Sequence, residues 1–160
     1  MLTRTMAGLG AAGLLAAAIA AGAAASASAT TDQTWHSNQI SDSIPVTCDG
    51  PGTTPFSGPG NVVAHLTVNN AGDSWFTTTE EGSVTLKTLW GGSWSTWAGH
   101  IQLWFGSEDN NQNSVQHATV NFNGVSISDP SKSLTMHAAF TATVNANGVL
   151  VVNNQTVSCQ

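Results

Sequence analysis

Leu134-Thr135-Met136-His137-Ala138-Ala139-Phe140-Thr141-Ala142-Thr143-Val144 decides the fold. Every even position is apolar, and the odd positions carry three Thr, one His and one Ala. That period is two, not 3.6, so the segment reads as a β-strand with one dry face and one wet face. Asn145-Ala146-Asn147-Gly148 follows as a hairpin turn, and Val149–Val152 and Thr156–Cys159 carry the sheet to the end of the chain. The same alternation runs backward from Leu134. Ala118, Val120 and Phe122 mark one strand, and Trp97, Gly99, Ile101, Leu103 and Phe105 another. Val84, Leu86 and Trp90 mark a third, preceded by a strand over Ser74–Glu80. Before the Asn69-Asn70-Ala71-Gly72 turn, Val62, Ala64, Leu66 and Val68 alternate with Val63, His65 and Thr67. Ile44–Cys48 is the first short strand. No helical period persists over two turns after residue 30. The reading is an all-β, antiparallel fold of about eight strands, a β-barrel or a β-sandwich, in a single domain over 44–160. Parity predicts burial for Ile101, Leu103, Phe105, Val120, Phe122, Met136, Phe140 and Val151.

Two stretches lack the alternation. Residues 30–43 are polar and read as a flexible N-terminal tail. Asp49–Gly60 contains Pro51, Pro55 and Pro59 among four glycines, and reads as a long surface loop and a candidate functional one.

The first 29 residues read as an export signal. Arg4 is the only charge, Leu9–Ala25 is a Leu/Ala/Gly-rich apolar run, and Ala27-Ser28-Ala29 is a small-x-small cleavage pattern, with Ala25-Ser26-Ala27 competing. The run is short and broken by Gly, so a retained membrane anchor is the weaker reading. A secreted, extracellular protein with no membrane insertion after signal removal is expected.

Charge narrows the partners. The whole chain carries three Lys and Arg against nine Asp and Glu, and loss of Arg4 leaves only Lys87 and Lys132. Two cations cannot neutralise many phosphates, so nucleic acid and anionic lipid are poor partners on electrostatic grounds, and no nucleic-acid partner is expected. Cys48 and Cys159 are the two cysteines. Outside the cytoplasm an even pair reads as a disulfide. It would close a loop of about 110 residues, worth on the order of 4–5 kcal/mol in chain-entropy terms.

Three groups of residues carry possible chemistry. Trp90, Trp94, Trp97 and Trp104 crowd one region. Trp90 and Trp97 share the apolar parity and read as core. Trp94 falls in a Gly/Ser loop, and Trp104 lies between Leu103 and Phe105 on the opposite parity. An indole on the wet face of a sheet can stack on a sugar ring, or can simply cover a loop or a barrel mouth. His65, His100, His117 and His137 lie on the wet parity of four separate strands. They read as solvated or singly hydrogen-bonded histidines rather than a metal site, and no cofactor is expected. Glu80-Glu81 and Glu108-Asp109 are adjacent carboxylates, but neighbours on a strand point to opposite faces, so neither pair is a glycosidase dyad. Nucleophile and phosphate-binding motifs are absent from the sequence. Asn154-Gln155-Thr156 matches a glycosylation sequon and carries little weight.

Val46-Thr47-Cys48-Asp49-Gly50, Gly99-His100-Ile101-Gln102-Leu103-Trp104-Phe105-Gly106, Thr135-Met136-His137, Ala146-Asn147-Gly148-Val149 and Ser158-Cys159 resemble a group of small secreted actinobacterial β-domain proteins of unknown function. The resemblance implies a barrel-like exported domain with one disulfide, and assigns no catalytic or binding residue.

Three functions follow as expectations. One is a non-enzymatic binding module for a glycan or small apolar ligand, held near Trp94, Trp104 and His100. Another is an exported structural or cell-surface interaction protein without a small-molecule ligand. The last is an enzyme using His100 or His137 with Glu108. Oligomeric state is left open.

Overall fold

The computed structural model describes residues 31–110 and 112–160; the export-signal reading of residues 1–29 lies outside them. Seven strands form one antiparallel sheet in chain order. They are β1 (Thr31–Thr47), β2 (Gly50–Val68), β3 (Ser74–Trp90), β4 (Ser93–Asp109), β5 (Asn113–Ser126), β6 (Ser133–Asn145) and β7 (Leu150–Cys159). Antiparallel neighbours joined by short turns are what alternating strands separated by Gly and Asn turns dictate. The Asn69 and Asn145 turns form as expected. Gly72 and Gly148 adopt positive φ there, and each Asn side chain accepts backbone N–H bonds within its own turn.

Seven strands stand where about eight were expected; of the nine alternating stretches read from the sequence, the two within Ser74–Trp90 are one strand, as are the two near the end of the chain, in Leu150–Cys159. The sheet is not closed, since no ladder joins β1 to β7 among the described residues. Yet one buried cluster draws on β1 (Ile40, Ile44), β2 (Phe56), β3 (Leu86), β4 (Ile101), β5 (Phe122) and β6 (Leu134, Met136). In a flat sheet β1 and β6 would stand about 24 Å apart at about 4.8 Å per strand. The sheet therefore coils around its inner face. Close backbone approach makes the coil possible. A Cβ on Gly99 would collide with the Asn123 carbonyl oxygen, and one on Gly82 with the Pro59 carbonyl oxygen. A disulfide does what a ladder does not: Cys48 and Cys159, 111 residues apart in sequence, are bonded and tie the end of β1 to the end of β7.

The N-terminal expectations are corrected. Residues 31–43 are not a tail but most of β1, paired with β2 from Thr31↔Val68 onward. Their first nine side chains are all exposed, so no alternation of burial marks them; the pairing rests on the backbone ladder to Val62–Val68. The Pro/Gly stretch is not a loop but the first half of β2. Its prolines are tolerated because Pro51, Pro55 and Pro59 pair with β1 and none has a register partner on β3, so no ladder on that side needs their missing N–H.

Of the eight residues expected to be buried, Ile101, Leu103, Val120, Phe122 and Met136 are buried, and Phe105 and Phe140 are half-buried. Val151 is 55% exposed. The register passes from Thr143↔Val152 to Val144↔Leu150, which leaves Val151 as the extra residue of a β-bulge.

Candidate functional site

Trp104 stands on the outer face of β4, 41% exposed. The parity that buries Leu103 must turn Trp104 outward. Its ring lies over Gly106, where a Cβ would come within 2.7 Å of the indole. The contact is made by the outer edge of the six-membered ring, at Cη2 and Cζ2.

Beside Trp104 runs a row of polar side chains perpendicular to the strands. Register aligns Asn61 with Glu81, Glu81 with Gln102, Gln102 with Asn121, Asn121 with His137 and His137 with Ser158. The row crosses six strands on the outer face. Gln102 donates to Glu81 Oε1 at 3.2 Å, and His100 Nε2 lies 3.2 Å from the same oxygen. These hydrogen bonds, Gln102 first, hold the Glu81 carboxyl below its ordinary range, so it stays ionised. Asn121 and His137 are joined at 2.7 Å. A shallow depression of about 260 Å³ is lined by Asn61, Thr79, Glu81, Gln102, Trp104 and Asn121.

The three expected ligand residues do not all converge. His100 shares the outer face with Trp104 at four residues' distance, about 13 Å along the strand. Trp94 is on the same strand, not in a loop, but ten residues from Trp104, about 33 Å. Lys87 sits over its ring, 5.7 Å from the centroid. One small ligand cannot touch both indoles. Trp75 was missed: it is exposed on the outer face of β3, opposite Glu108 and about 14 Å from Trp104. Extending the parity of Val84 and Leu86 back through one unbroken strand would have found it.

The histidines have separate partners. His65 meets Asp32 at 2.9 Å and Thr34 at 3.0 Å, and His117 meets Thr141 at 3.1 Å. Among the described residues no group of three or more His, Cys, Asp or Glu gathers for a metal ion. The enzymatic pairing of His100 or His137 with Glu108 is not assembled. Glu108 is eight residues along β4 from His100, about 26 Å, and His137 faces Asn121 instead.

Glu80 and Glu81 separate as adjacent strand residues must. Glu80 points inward, is 7% exposed, and leaves Oε2 without a hydrogen-bond partner. Burial first, and the charge of Asp42 second, push its carboxyl up to about 7. Burial also raises Asp42, partly offset by the Ser43 N–H at 2.6 Å.

Fold and site together define a disulfide-clasped antiparallel meander with an aromatic and amide-rich outer face. No protein family, curated protein or solved structure matches this chain, so its chemistry is read from its own side chains.

Proposed function

We propose that the protein is a secreted, non-enzymatic binding module that takes a glycan on the outer face of its sheet. The observation that carries the reading is Trp104. The edge of its indole rests against Gly106, while the residue stays 41% exposed beside a row of amides and a carboxylate. A sugar ring needs both elements: an apolar plane for its C–H face, and acceptors and donors for its hydroxyls. Glu81, Gln102, Asn121 and Asn61 supply the second. The row runs across strands about 4.8 Å apart, a repeat close to that of a pyranose chain, so an extended oligosaccharide fits it better than a compact apolar ligand. The depression mixes polar side chains with Leu103 and Trp104, which suits a ring with one apolar face and a rim of hydroxyls.

Secretion accords with the export-type sequence of residues 1–29 and with the Cys48–Cys159 bond, which persists in oxidising compartments. Among the described residues no helix is long and apolar enough to cross a membrane. A barrel-like architecture, as in the actinobacterial proteins the sequence resembles, is supported by the coil of the sheet around one core. The second reading, a cell-surface interaction protein, is favoured by exposed Val149, Leu150 and Val151 at the start of edge strand β7.

The test is an oligosaccharide array probed with wild-type protein and with Trp104→Ala. Binding of one glycan class by the wild type, lost in a variant that still folds, is the expected result. A wild type that binds no glycan favours the interaction reading.

A further inference from the structure

The inner face is sealed at one end of the sheet only. Cys48 and Cys159 stand 5.7 Å apart at Cα and pack against the buried cluster. At the opposite end, where the Asn69 and Asn145 turns lie, the inner face is uncovered. Register carries one inner row from Trp35 on β1 through Phe105 on β4 to Phe140 on β6 and Gln155 on β7. Trp35 is 42% exposed, and Phe105 and Phe140 are half-buried. Phe76, also half-buried, extends them into a file of three rings with centroids 6.1 and 6.4 Å apart.

Both edges of the sheet border this stretch. β1 and β7 each start at the open end and run toward the clasp, so they are parallel to each other, and no ladder joins them among the described residues. Direct closure would make a parallel pair, the less stable kind; a strand laid between them is antiparallel to both. β7 has backbone groups to offer it. Thr135 and Gln160 exchange backbone hydrogen bonds at 2.8 and 2.9 Å, and every second residue of β7 bonds β6 in the same way. Asn153, Gln155 and Val157 therefore turn their N–H and C=O groups to the free edge.

Charge selects the occupant. Asp32, Asp73, Glu108 and Asp109 gather at the open end, while Lys87 and Lys132, the only Lys or Arg among the described residues, lie toward the clasp. No strand of this chain alternates apolar with basic residues, so a second copy does not match the site.

We propose that the open end, between β1 and β7, takes an extended segment of a partner protein, with alternating apolar and basic residues, as an eighth strand. Its apolar side chains cover Trp35, Phe105 and Phe140. Its cations meet the carboxylates, Asp32 on β1 first. Ladder bonds to β7 give affinity and the alternation gives selectivity. The site goes beyond the glycan reading and uses the other face of the sheet.

The test is amide hydrogen exchange of the exported protein with a peptide of about eight residues alternating Val and Lys, long enough to span Leu150–Val157. The expected result is slowed exchange at Asn153 and Gln155. Affinity should fall about tenfold in Trp35→Ser and in Gln155→Pro. Trp35 is exposed, and a proline on a free edge removes no ladder bond, so both variants keep the β6–β7 pairing. No binding up to the solubility of the peptide overturns the proposal. So does binding without protection of Asn153 and Gln155, equal binding of a Val/Glu peptide, or an affinity unchanged in both variants. Protection of the same amides by raised protein concentration alone assigns the edge to a second copy and overturns it too. Glycan binding should persist in Trp35→Ser, so the two readings fail separately.

Discussion

Glu80 and Glu81 are chain neighbours on β3 and live in different solvents. Glu80 faces the core beside Val62 and Leu103, its register partners, and its carboxyl is pushed up to about 7. Glu81 faces water beside His100 and Gln102, and its carboxyl is held below the ordinary range. One step along a strand reverses the sign of the shift, because that step crosses the sheet. Around this pair the inner face sets stability, and the outer face is free to bind. A substitution should thus affect one property or the other according to parity.

Phe122→Ala should break the inner side most deeply. The ring is fully buried, and its removal should cost about 3–5 kcal/mol by chemical denaturation. A loss under about 1 kcal/mol would mean that the inner face is not a packed core. Next comes the clasp. Replacing both Cys48 and Cys159 by Ser should cost about 2–5 kcal/mol, seen as a lower denaturation midpoint. Reductant should lower the wild-type midpoint in the same way and leave the variant untouched.

A smaller effect separates the two glutamates by pH. The raised Glu80 carboxyl binds its proton more tightly in the folded than in the unfolded chain. Its contribution is therefore complete below about pH 4.5 and is lost as pH rises through about 7, where ionised Glu80 must be accommodated in the core. Asp42 acts in the same direction. Allowing for solvent that reaches the carboxyl, the loss is about 2 kcal/mol. Denaturation midpoints between pH 5 and 8 should fall for the wild type and stay flatter for Glu80→Leu, which places an aliphatic chain against Val62 and Leu103. Glu81→Gln should leave that slope in place. The smallest stability effect belongs to Trp104→Ala, about 1 kcal/mol or less from uncovering Gly106. The same variant should lose glycan binding, which sharpens the contrast between the faces.

Legibility followed the same division. The alternation from Trp97 to Val144 carries the inner-face residues of β4, β5 and β6 openly, because each strand has one dry side. β1 and the first half of β2 were hidden. The first nine side chains of β1 are wet on both faces, and the prolines of β2 argue against a strand unless its neighbours are known. Trp104 was legible as an outward residue from Leu103 and Phe105 alone. Its companions Asn61, Glu81 and Asn121 were not, since they come from three other strands and meet only through register.

By itself the sequence determined the strand parity, the turns at Asn69 and Asn145, the pairing of its two cysteines, and the outward aspect of Trp104. These depend on local alternation, turn chemistry and a count of two thiols, which a chain carries without its neighbours. Only the tertiary structure decided that the sheet stays open, that residues 31–60 join it, that Trp94 and Trp104 are too far apart to share a ligand, and that the buried Trp97 N–H is left unpaired. Those outcomes depend on inter-strand register and on the coil of the sheet, which are set by backbone hydrogen bonds and close approach between segments distant in sequence.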